Sequence, residues 1–311
     1  MSDKKIFTFI LLCALFSMFF NLLLPAQSEE ISEKGDSMKK ILIFGITGTV
    51  GAALSEELSK DGHFYIYGTY FKDTPSITYA KCYQMDISDL ERVNFILEDV
   101  KPDLVVSALR GDFDKQLIFH KHVAEYLKNT GGIFYFCSTA NVFDKDSTKP
   151  HYENDQCESV TDYGQFKIEC EKNLGEILGD RAVILRFSQI WGKTSPRMIS
   201  LTEKLQKNEE IEVYTNAFVN RITDRMVAQK MVYIIQKDIR RIFHTGTAEP
   251  VSEKDFITEL IEKLGYKDIK LKESQLPGDK YYLTVLTDRD WPEDLIFTSA
   301  DVIKELSEQV Q

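Results

Sequence analysis

Residues 41–51 read Ile-Leu-Ile-Phe-Gly-Ile-Thr-Gly-Thr-Val-Gly, an apolar run that passes directly into a glycine-rich stretch. The apolar run predicts a buried strand, and residues 50–59, which follow it, predict a helix. A glycine loop between a strand and a helix can hold a dinucleotide pyrophosphate on backbone N–H groups and the helix dipole. The residues predicted to contact a dinucleotide here are Gly45, Thr47, Gly48, Thr49, Val50 and Gly51.

The three glycines of this loop are expected to have different tasks. Gly45 permits a tight exit from the strand, and Gly48 lets the backbone approach the phosphates. Gly51 allows the helix to pack closely on the strand. The loop therefore predicts a nicotinamide-dinucleotide site at the end of the first strand.

From Lys40 onward, strand-like and helix-like segments alternate as far as Gly192. This alternation predicts an α/β fold, a Rossmann-type doubly wound parallel sheet with helices on both faces. After Gly192 the alternation loosens, which predicts a smaller C-terminal substrate lobe. The strands predicted for the sheet are residues 40–44, 63–70, 83–86, 104–108, 133–137 and 182–186, with 242–245 as one more. A short strand outside it is predicted at residues 269–272.

The chain is predicted to have three parts: a hydrophobic leader (1–37), an NAD(P)-binding domain (38–192) and a lobe that mainly binds substrate (193–311). Residues 223–248 are expected to return to the NAD(P)-binding domain. The apolar residues 6–24 are long enough for a membrane anchor or the core of a signal peptide. Alternatively, translation naturally starts at Met38, and residues 1–37 are an artefact of an upstream start codon. We expect a cytoplasmic protein, or an anchored or exported one if the leader is genuine.

Composition narrows the classes of function. The chain has 311 residues and a net charge of −11, with no basic run, which argues against a nucleic-acid-binding surface. Its five cysteines have no metal-ligand spacing and are interpreted as reduced thiols. His120 and His122 point to different faces of one predicted helix, so we interpret them as core or surface residues. No metal site is predicted.

Tyr163 and Lys167 lie four residues apart and therefore share one face of a predicted helix. Reduction of a ketone needs a hydride on carbon and a proton on oxygen. We predict that Tyr163 donates this proton, with Lys167 and the oxidised nicotinamide lowering the phenol pKa. Thr139, at the end of the fifth strand, is predicted to hydrogen-bond the carbonyl oxygen, with Ser138 as the alternative.

The choice between NAD and NADP depends on the end of the second strand. A carboxylate there binds the ribose 2′-hydroxyl of NAD. This chain has Lys72, which can face a 2′-phosphate, and no acid before Asp73, so NADP is favoured over NAD. Asp86 and Ile87 are predicted at the adenine edge, and the small Ala108 beside the cofactor.

Together these motifs resemble those of the extended short-chain dehydrogenase/reductases, specifically the group around dTDP-4-dehydrorhamnose reductase. The resemblance implies a Rossmann domain, a nucleotide-sugar lobe and NAD(P)H-dependent reduction of a nucleotide-linked 4-keto sugar for polysaccharide biosynthesis. It also implies catalytic roles for Thr139, Tyr163 and Lys167, and a homodimer is a further expectation. The matching stretches are residues 45–51, 83–86, 138–144, 163–167 and 185–192.

Two stretches depart from this family. The family's Ser-Thr-Asp-Tyr-Val-Phe-Asp-Gly has Ala140 and Asn141 in place of Asp-Tyr, and Lys145 in place of Gly. Residues 109–114, after Ala108, also differ from the usual pattern. These changes leave the predicted cofactor chemistry intact and leave the identity of the sugar open.

Two other functions remain open from the sequence. One is an epimerase or dehydratase of the same superfamily, which keeps its cofactor bound and recycles the hydride. The other is a regulatory NAD(P)-binding subunit, since the scaffold also resembles the β subunit of methionine adenosyltransferase. The intact set of Thr139, Tyr163 and Lys167 favours an enzyme, because a binding subunit needs no tuned phenol.

Overall fold

The computed structural model describes residues 38–267 and 269–308. Its strands are β1 Lys39–Phe44, β2 Phe64–Tyr70, β3 Ala80–Gln84, β4 Leu104–Ser107, β5 Ile133–Thr139, β6 Ala182–Phe187, β7 Gln189–Trp191, β8 Ile211–Tyr214, β9 Ala217–Val219, β10 Arg221–Thr223, β11 Ile242–Thr245, β12 Val251–Ser252, β13 Leu271–Ser274 and β14 Tyr281–Tyr282. Its α-helices are α1 Thr49–Asp61, α2 Leu90–Val100, α3 Phe113–Thr130, α4 Asp162–Leu178, α5 Pro196–Gln206, α6 Asp224–Gln236, α7 Glu253–Lys263 and α8 Ser299–Glu308.

The described residues form one large sheet of seven parallel strands in the order β3-β2-β1-β4-β5-β6-β11. The predicted doubly wound α/β fold is confirmed. The chain runs outward from β1 to β3 and then returns to the other side of β1 at β4. Ligands of such sheets bind beyond the carboxyl ends of the strands where the order reverses.

Strand β1 shows why this sheet is buried on both sides. Its last four residues are fully buried and alternate between two hydrophobic cores. Ile41 and Ile43 belong to one core, whereas Leu42 and Phe44 belong to the other. Because successive side chains of a strand point to opposite faces, a continuous apolar run suits a strand covered by helices on both faces.

The boundaries of some strands differ from those predicted. The third strand was predicted at residues 83–86 but spans Ala80–Gln84, because its pairing with β2 begins at Ala80 opposite Ile66. Asp86 therefore lies beyond the strand. The strand predicted at residues 269–272 is Leu271–Ser274, which pairs with β8. Apolar content alone did not locate these ends, since both strands carry exposed polar residues.

The rest of the C-terminal half forms smaller sheets. Strand β7 pairs with β10, β8 pairs with β13, and β9 lies between β12 and β14. Strand β11, in contrast, pairs with β6 in the large sheet. The domain boundaries at residues 37 and 192 remain predictions.

The predicted anchor at residues 6–24 lies outside the described residues. Within residues 38–267 and 269–308, no helix is both long enough and apolar enough to cross a bilayer.

Candidate active site

A cleft of about 850 Å³ lies at the carboxyl ends of β1, β4 and β5. It is lined by all three predicted catalytic residues, Thr139, Tyr163 and Lys167. Two predicted cofactor residues, Gly51 and Lys72, do not line it. The predicted cofactor residues that do line the cleft are Gly45, Thr47, Gly48, Thr49, Val50, Asp86, Ile87 and Ala108.

The glycine loop leaves the start of α1 open towards this cleft. Gly45 has φ +86°, a left-handed conformation that favours glycine, and its carbonyl accepts a hydrogen bond from Gly48 N–H at 3.0 Å. Gly48 caps α1 without a side-chain hydrogen bond, and the first turn carries no acid. The first N–H groups of a helix have no intrahelical partner and attract anions. This geometry suits a phosphate.

Gly51 shapes the loop from inside the helix. A Cβ atom added at Gly51 would lie 2.2 Å from the carbonyl oxygen of Gly45. The contact is with backbone, which cannot move aside as a flexible side chain can. Gly51 therefore keeps α1 close to the end of β1, although it does not line the cleft.

We expect Gly51→Ala to weaken NADPH binding by at least about tenfold, because the added methyl must displace the loop that would hold the phosphates. The measurement is a fluorescence titration with NADPH, combined with thermal unfolding. Gly175→Ala is the matched control, since Gly175 is also helical and has open space around its Cβ position. This control should bind NADPH normally and be stabilised by up to about 1 kcal/mol. Unchanged NADPH affinity in Gly51→Ala would contradict the assigned role.

At the other end of the cleft, the carboxylate of Asp86 accepts hydrogen bonds from Ser88 N–H at 2.8 Å and Ser88 Oγ at 2.6 Å. These bonds lower the pKa of Asp86 below its ordinary value. Lys72 is exposed, with its Nζ 5.7 Å from the ring centre of Phe71. Its contact with a 2′-phosphate remains a prediction. Tyr70 and Phe71 line the cleft, although the sequence analysis assigned them no role.

Tyr163 lies in the first turn of α4, and Lys167 follows one turn later. The buried Lys167 donates a hydrogen bond from Nζ to the carbonyl oxygen of Cys137 at 2.7 Å. Its Nζ lies 5.9 Å from the ring centre of Tyr163. Burial lowers the pKa of Lys167 below its ordinary value. Lys167 thus connects the end of β5 to the helix that carries Tyr163.

The effect of Lys167 and the oxidised nicotinamide on the pKa of Tyr163 remains a prediction. Tyr163 is 39% exposed, so a ligand can reach it, yet partial burial raises the pKa of its phenol overall. A hydrogen bond with Thr139 and the charges of Arg110 and Arg197 oppose this rise. The raised pKa keeps the phenol protonated in the protein alone, and two arginines to which the sequence analysis gave no role act to lower that pKa.

The hydroxyl groups of Ser138 and Thr139 have different partners. Ser138 donates to the carboxylate of Glu171. Thr139 Oγ1 accepts a hydrogen bond from Asn141 N–H at 3.2 Å and donates to Asn141 Oδ1 at 3.0 Å. Thr139 lines the cleft together with Tyr163 and has an effect that lowers the phenol pKa, so it is the better candidate of the two for orienting a carbonyl oxygen.

Asn141 is a cleft residue that the sequence analysis did not assign to the site. Its Oδ1 accepts from Thr139, whereas its Nδ2 has no hydrogen-bond partner among the described residues. The Nδ2 hydrogens are therefore available to an oxygen of a bound ligand. The departure from the family's Asp-Tyr was the signal that could have identified this position.

A buried ion pair, Glu171 and Arg186, lies next to Ser138, which lines the cleft. Glu171 and Arg186 form several hydrogen bonds, the shortest at 2.7 Å, and their side chains are only 10% and 4% exposed. Arg186 also donates to the carbonyl oxygen of Glu153 at 3.3 Å and lies 3.4 Å from His244 Nε2. These contacts join α4 to the ends of β5, β6 and β11.

His120 is a core residue, as one of the two sequence interpretations had it. Its Nε2 is hydrogen-bonded to Ser107 Oγ at 2.8 Å, and its Nδ1 lies 3.6 Å from Cys170 Sγ. Burial and the charge of Lys167 hold the pKa of His120 well below its ordinary value, so the ring is neutral. Within the part of the chain that the structure describes, no group of three or more potential metal ligands comes together.

The cleft is positively charged, although the chain as a whole carries a net charge of −11. Its basic residues outnumber its acidic ones, which suits an anionic ligand. The sequence analysis gave no role to Arg110 or Arg197, since isolated arginines in loops or helices follow no pattern. The charged residues that line the cleft are Arg110, Lys115, Lys167 and Arg197, with Asp86 and Asp112.

A comparison with known protein families identifies the family of this chain. The family model described as the RmlD substrate binding domain matches residues 38–280. The chain belongs to this family. The predicted resemblance to dTDP-4-dehydrorhamnose reductases is thereby confirmed, because relatives of this RmlD-family protein carry that name.

One relative, a probable low-salt glycan biosynthesis reductase of Haloferax volcanii, is 24% identical over 257 residues, covering 76% of this chain and 84% of that protein. A dTDP-4-dehydrorhamnose reductase of Burkholderia thailandensis is 26% identical over 248 residues, covering 71% and 77%. Among solved structures, dTDP-4-dehydrorhamnose reductase of Bacillus anthracis, in complex with NADP, has a TM-score of 0.73 at 15% identity. This match covers 87% of this chain and 98% of that one. The structural likeness shows that the RmlD-family chain shares this fold.

Proposed function

We propose that this protein is an NAD(P)H-dependent reductase of a nucleotide-linked 4-keto sugar. The observation that carries the proposal is one cleft lined by the glycine loop, Tyr163, Thr139 and Lys167. A dinucleotide site and a proton donor for a carbonyl oxygen are the two requirements of such a reduction. Two relatives, named a probable low-salt glycan biosynthesis reductase and a dTDP-4-dehydrorhamnose reductase, support the substrate class.

The residues of the cleft fit a nicotinamide dinucleotide. Gly45 and Gly48 leave the start of α1 open for the pyrophosphate. Asp86 and Ile87 line the same cleft, and we propose that they hold the adenine. The cofactor, when bound, supplies the hydride. NADP is favoured over NAD because Lys72, and not an acid, follows β2.

Residues of the chain donate the proton to the carbonyl oxygen of the substrate and orient that oxygen. Tyr163 has a raised pKa, so its phenol holds a proton at neutral pH and can donate it to the carbonyl oxygen. To orient that oxygen, Thr139 turns its hydroxyl hydrogen from Asn141 Oδ1 to the bound carbonyl oxygen, while its own oxygen still accepts from Asn141 N–H. Lys167 holds the end of β5 against α4 and keeps a positive charge beneath Tyr163.

We expect the purified full-length protein to oxidise NADPH when given dTDP-4-keto-6-deoxyglucose or its 4-keto rhamnose isomer. The measurement is the fall in NADPH absorbance, repeated with NADH. Consumption of one equivalent of cofactor per sugar would support a reductase and identify its cofactor. Tight cofactor binding without net oxidation would contradict the proposal and favour an epimerase or a regulatory subunit.

The assembly and location of the protein are also proposals. A homodimer follows from the family resemblance alone. Membrane attachment through residues 6–24 depends on the composition of that segment. Cytoplasmic location is proposed because the nicotinamide cofactor is found inside cells.

A further inference from the structure

We propose that Asp144 is a positioning residue for Tyr163, which it holds against the segment that carries Thr139 so that both side chains can meet one carbonyl oxygen. This inference rests on the proposed reductase function and extends it to a residue that does not line the cleft. It is carried by the hydrogen bonds of the Asp144 carboxylate to the residues directly before α4.

Thr139 and Tyr163 lie on two segments that a long loop separates. Thr139 ends β5, and a short 3₁₀ helix, Ala140–Phe143, follows it directly. Tyr163 is the second residue of α4, which begins at Asp162. The loop between them, residues 144–161, contains no helix or strand of the described structure. Because loops are more mobile than the elements they connect, the relative position of Thr139 and Tyr163 depends on contacts that bridge this loop.

The carboxylate of Asp144 provides such a contact, because it joins the first residue of the loop to the last three. Its Oδ1 accepts hydrogen bonds from Ser159 Oγ at 2.7 Å and from Val160 N–H at 2.8 Å. Its Oδ2 accepts a hydrogen bond from Thr161 Oγ1 at 2.5 Å. The backbone N–H of Asp144 donates to the carbonyl oxygen of Asn141 at 3.3 Å, which closes the 3₁₀ helix. Asp144 is therefore bonded both to the helix that follows β5 and to the residues that precede α4.

Thr161 passes this restraint to the first turn of α4. It is the N-cap of the helix, and its Oγ1 accepts a hydrogen bond from Gly164 N–H at 3.2 Å. Tyr163 lies between these two residues, so the cap fixes the turn that carries the phenol. Gly164 packs directly on the 3₁₀ helix, since a Cβ atom added there would lie 2.3 Å from the carbonyl oxygen of Asn141. A shift of Thr161 would therefore move Tyr163 relative to Thr139.

This link affects the proton transfer and leaves cofactor binding alone. Proton donation needs the phenol within hydrogen-bond reach of the oxygen that Thr139 orients. A misplacement of about 1 Å can lower a rate about 10²-fold. The glycine loop lies between β1 and α1, and none of the hydrogen bonds that the described residues make with the Asp144 carboxylate reaches it. Loss of this carboxylate should therefore lower the rate of reduction and leave NADPH affinity unchanged.

Asp146 provides a matched control in the same loop. Its Oδ1 accepts hydrogen bonds from Thr148 N–H at 3.1 Å and from Thr148 Oγ1 at 2.6 Å. These bonds resemble those of Asp144, but the partner lies within the loop and not directly before α4. Asp146→Ala should therefore disturb the loop without moving Tyr163.

The test measures the single-turnover rate of NADPH oxidation by the full-length protein with dTDP-4-keto-6-deoxyglucose or its 4-keto rhamnose isomer. We expect Asp144→Ala to lower this rate by about 10- to 100-fold and to leave the NADPH dissociation constant within about twofold. Asp144→Asn should recover most of the rate, because its oxygen still accepts from Val160 and its amide can bond to Thr161. Asp146→Ala should keep the full rate.

A second comparison, in the Tyr163→Phe background, separates positioning from general stabilisation. If Asp144 acts through the phenol, Asp144→Ala should lower the remaining rate of Tyr163→Phe by less than about threefold, because the group that it positions is already gone. A residue that only stabilises the loop would lower the rate by the same factor in both backgrounds.

The other outcomes separate this proposal from the proposed function. Equal losses in the two backgrounds, or a full rate in folded Asp144→Ala, would reject the positioning role and leave the reductase proposal intact. If the unchanged protein oxidises no NADPH with either sugar, the proposed function fails and the positioning role fails with it.

Thermal unfolding checks that each variant is folded. If Asp144→Ala does not fold, Thr161→Val in the same two backgrounds decides, since it removes the hydroxyl that joins Asp144 to α4. Thr161→Val should lower the rate at least about threefold when Tyr163 is present, and by a smaller factor in Tyr163→Phe. The same loss in both backgrounds, or no loss in either, would reject the positioning role.

Discussion

Replacing Tyr163 with phenylalanine is expected to lower kcat for ketone reduction by about 10²- to 10⁴-fold, the usual contribution of a positioned proton donor. The substitution removes one oxygen and keeps the ring, which packs 5.8 Å from the ring centre of Phe113. The cofactor-binding residues are unchanged, so NADPH affinity should remain within a few-fold of the original. The measurement combines steady-state NADPH oxidation with a fluorescence titration of NADPH.

Tyr152→Phe is the matched control, because Tyr152 is exposed and does not line the cleft. It should leave kcat unchanged. Since the pKa of Tyr163 is raised, its phenol stays protonated to higher pH than an ordinary tyrosine. The rate of reduction should therefore fall only above the ordinary tyrosine pKa. A Tyr163→Phe enzyme with nearly full activity would show that another group donates the proton.

Removing the buried carboxylate of Glu171 is expected to cause a large loss of stability. Glu171→Ala leaves the guanidinium of Arg186 buried without its carboxylate and leaves Ser138 without its acceptor. Breaking one partner of a buried ion pair costs about 3–5 kcal/mol in the free energy of unfolding. For a chain of this size we expect the melting temperature to fall by roughly 6–20 °C, measured by circular dichroism.

Glu176→Ala provides the comparison within the same helix. Glu176 pairs with Lys172 at 3.9 Å, but both side chains are more than 60% exposed. Exposed pairs of this kind contribute about 0–1 kcal/mol. If Glu171→Ala and Glu176→Ala lower the melting temperature by the same amount, the buried ion pair does not stabilise the protein more than the exposed one, and the prediction fails.

The sequence predicted the parts of the fold that depend on local pattern. The run at residues 41–44 is apolar at every position because β1 is covered on both faces, and such a run is visible without a structure. The spacing of Tyr163 and Lys167 fixes them on one helix face. The strand predicted at residues 242–245 has the same bounds in the structure, Ile242–Thr245.

The features that sequence did not predict depend on contacts between distant segments. The hydroxyl of Ser138 is used by Glu171, 33 residues away, which no local pattern reveals. Arg110 and Arg197 line one cleft only because β4 ends there and α5 begins there. The direction of the pKa shift of Tyr163 likewise depends on its burial, which is a property of the folded chain.

Strand β11 lies more than 50 residues after its partner β6 in the sequence, and this has a consequence for how the chain folds. Strand β6 is buried along its whole length, and β11 covers the side that faces away from β5. A polypeptide that ends at residue 192 would leave β6 as a bare outer edge with unpaired amide and carbonyl groups. Such edges recruit other chains and lead to aggregation. During synthesis, the large sheet therefore cannot be completed until residues 242–245 have left the ribosome. We expect the segments before and after residue 192 to fold together as one cooperative unit.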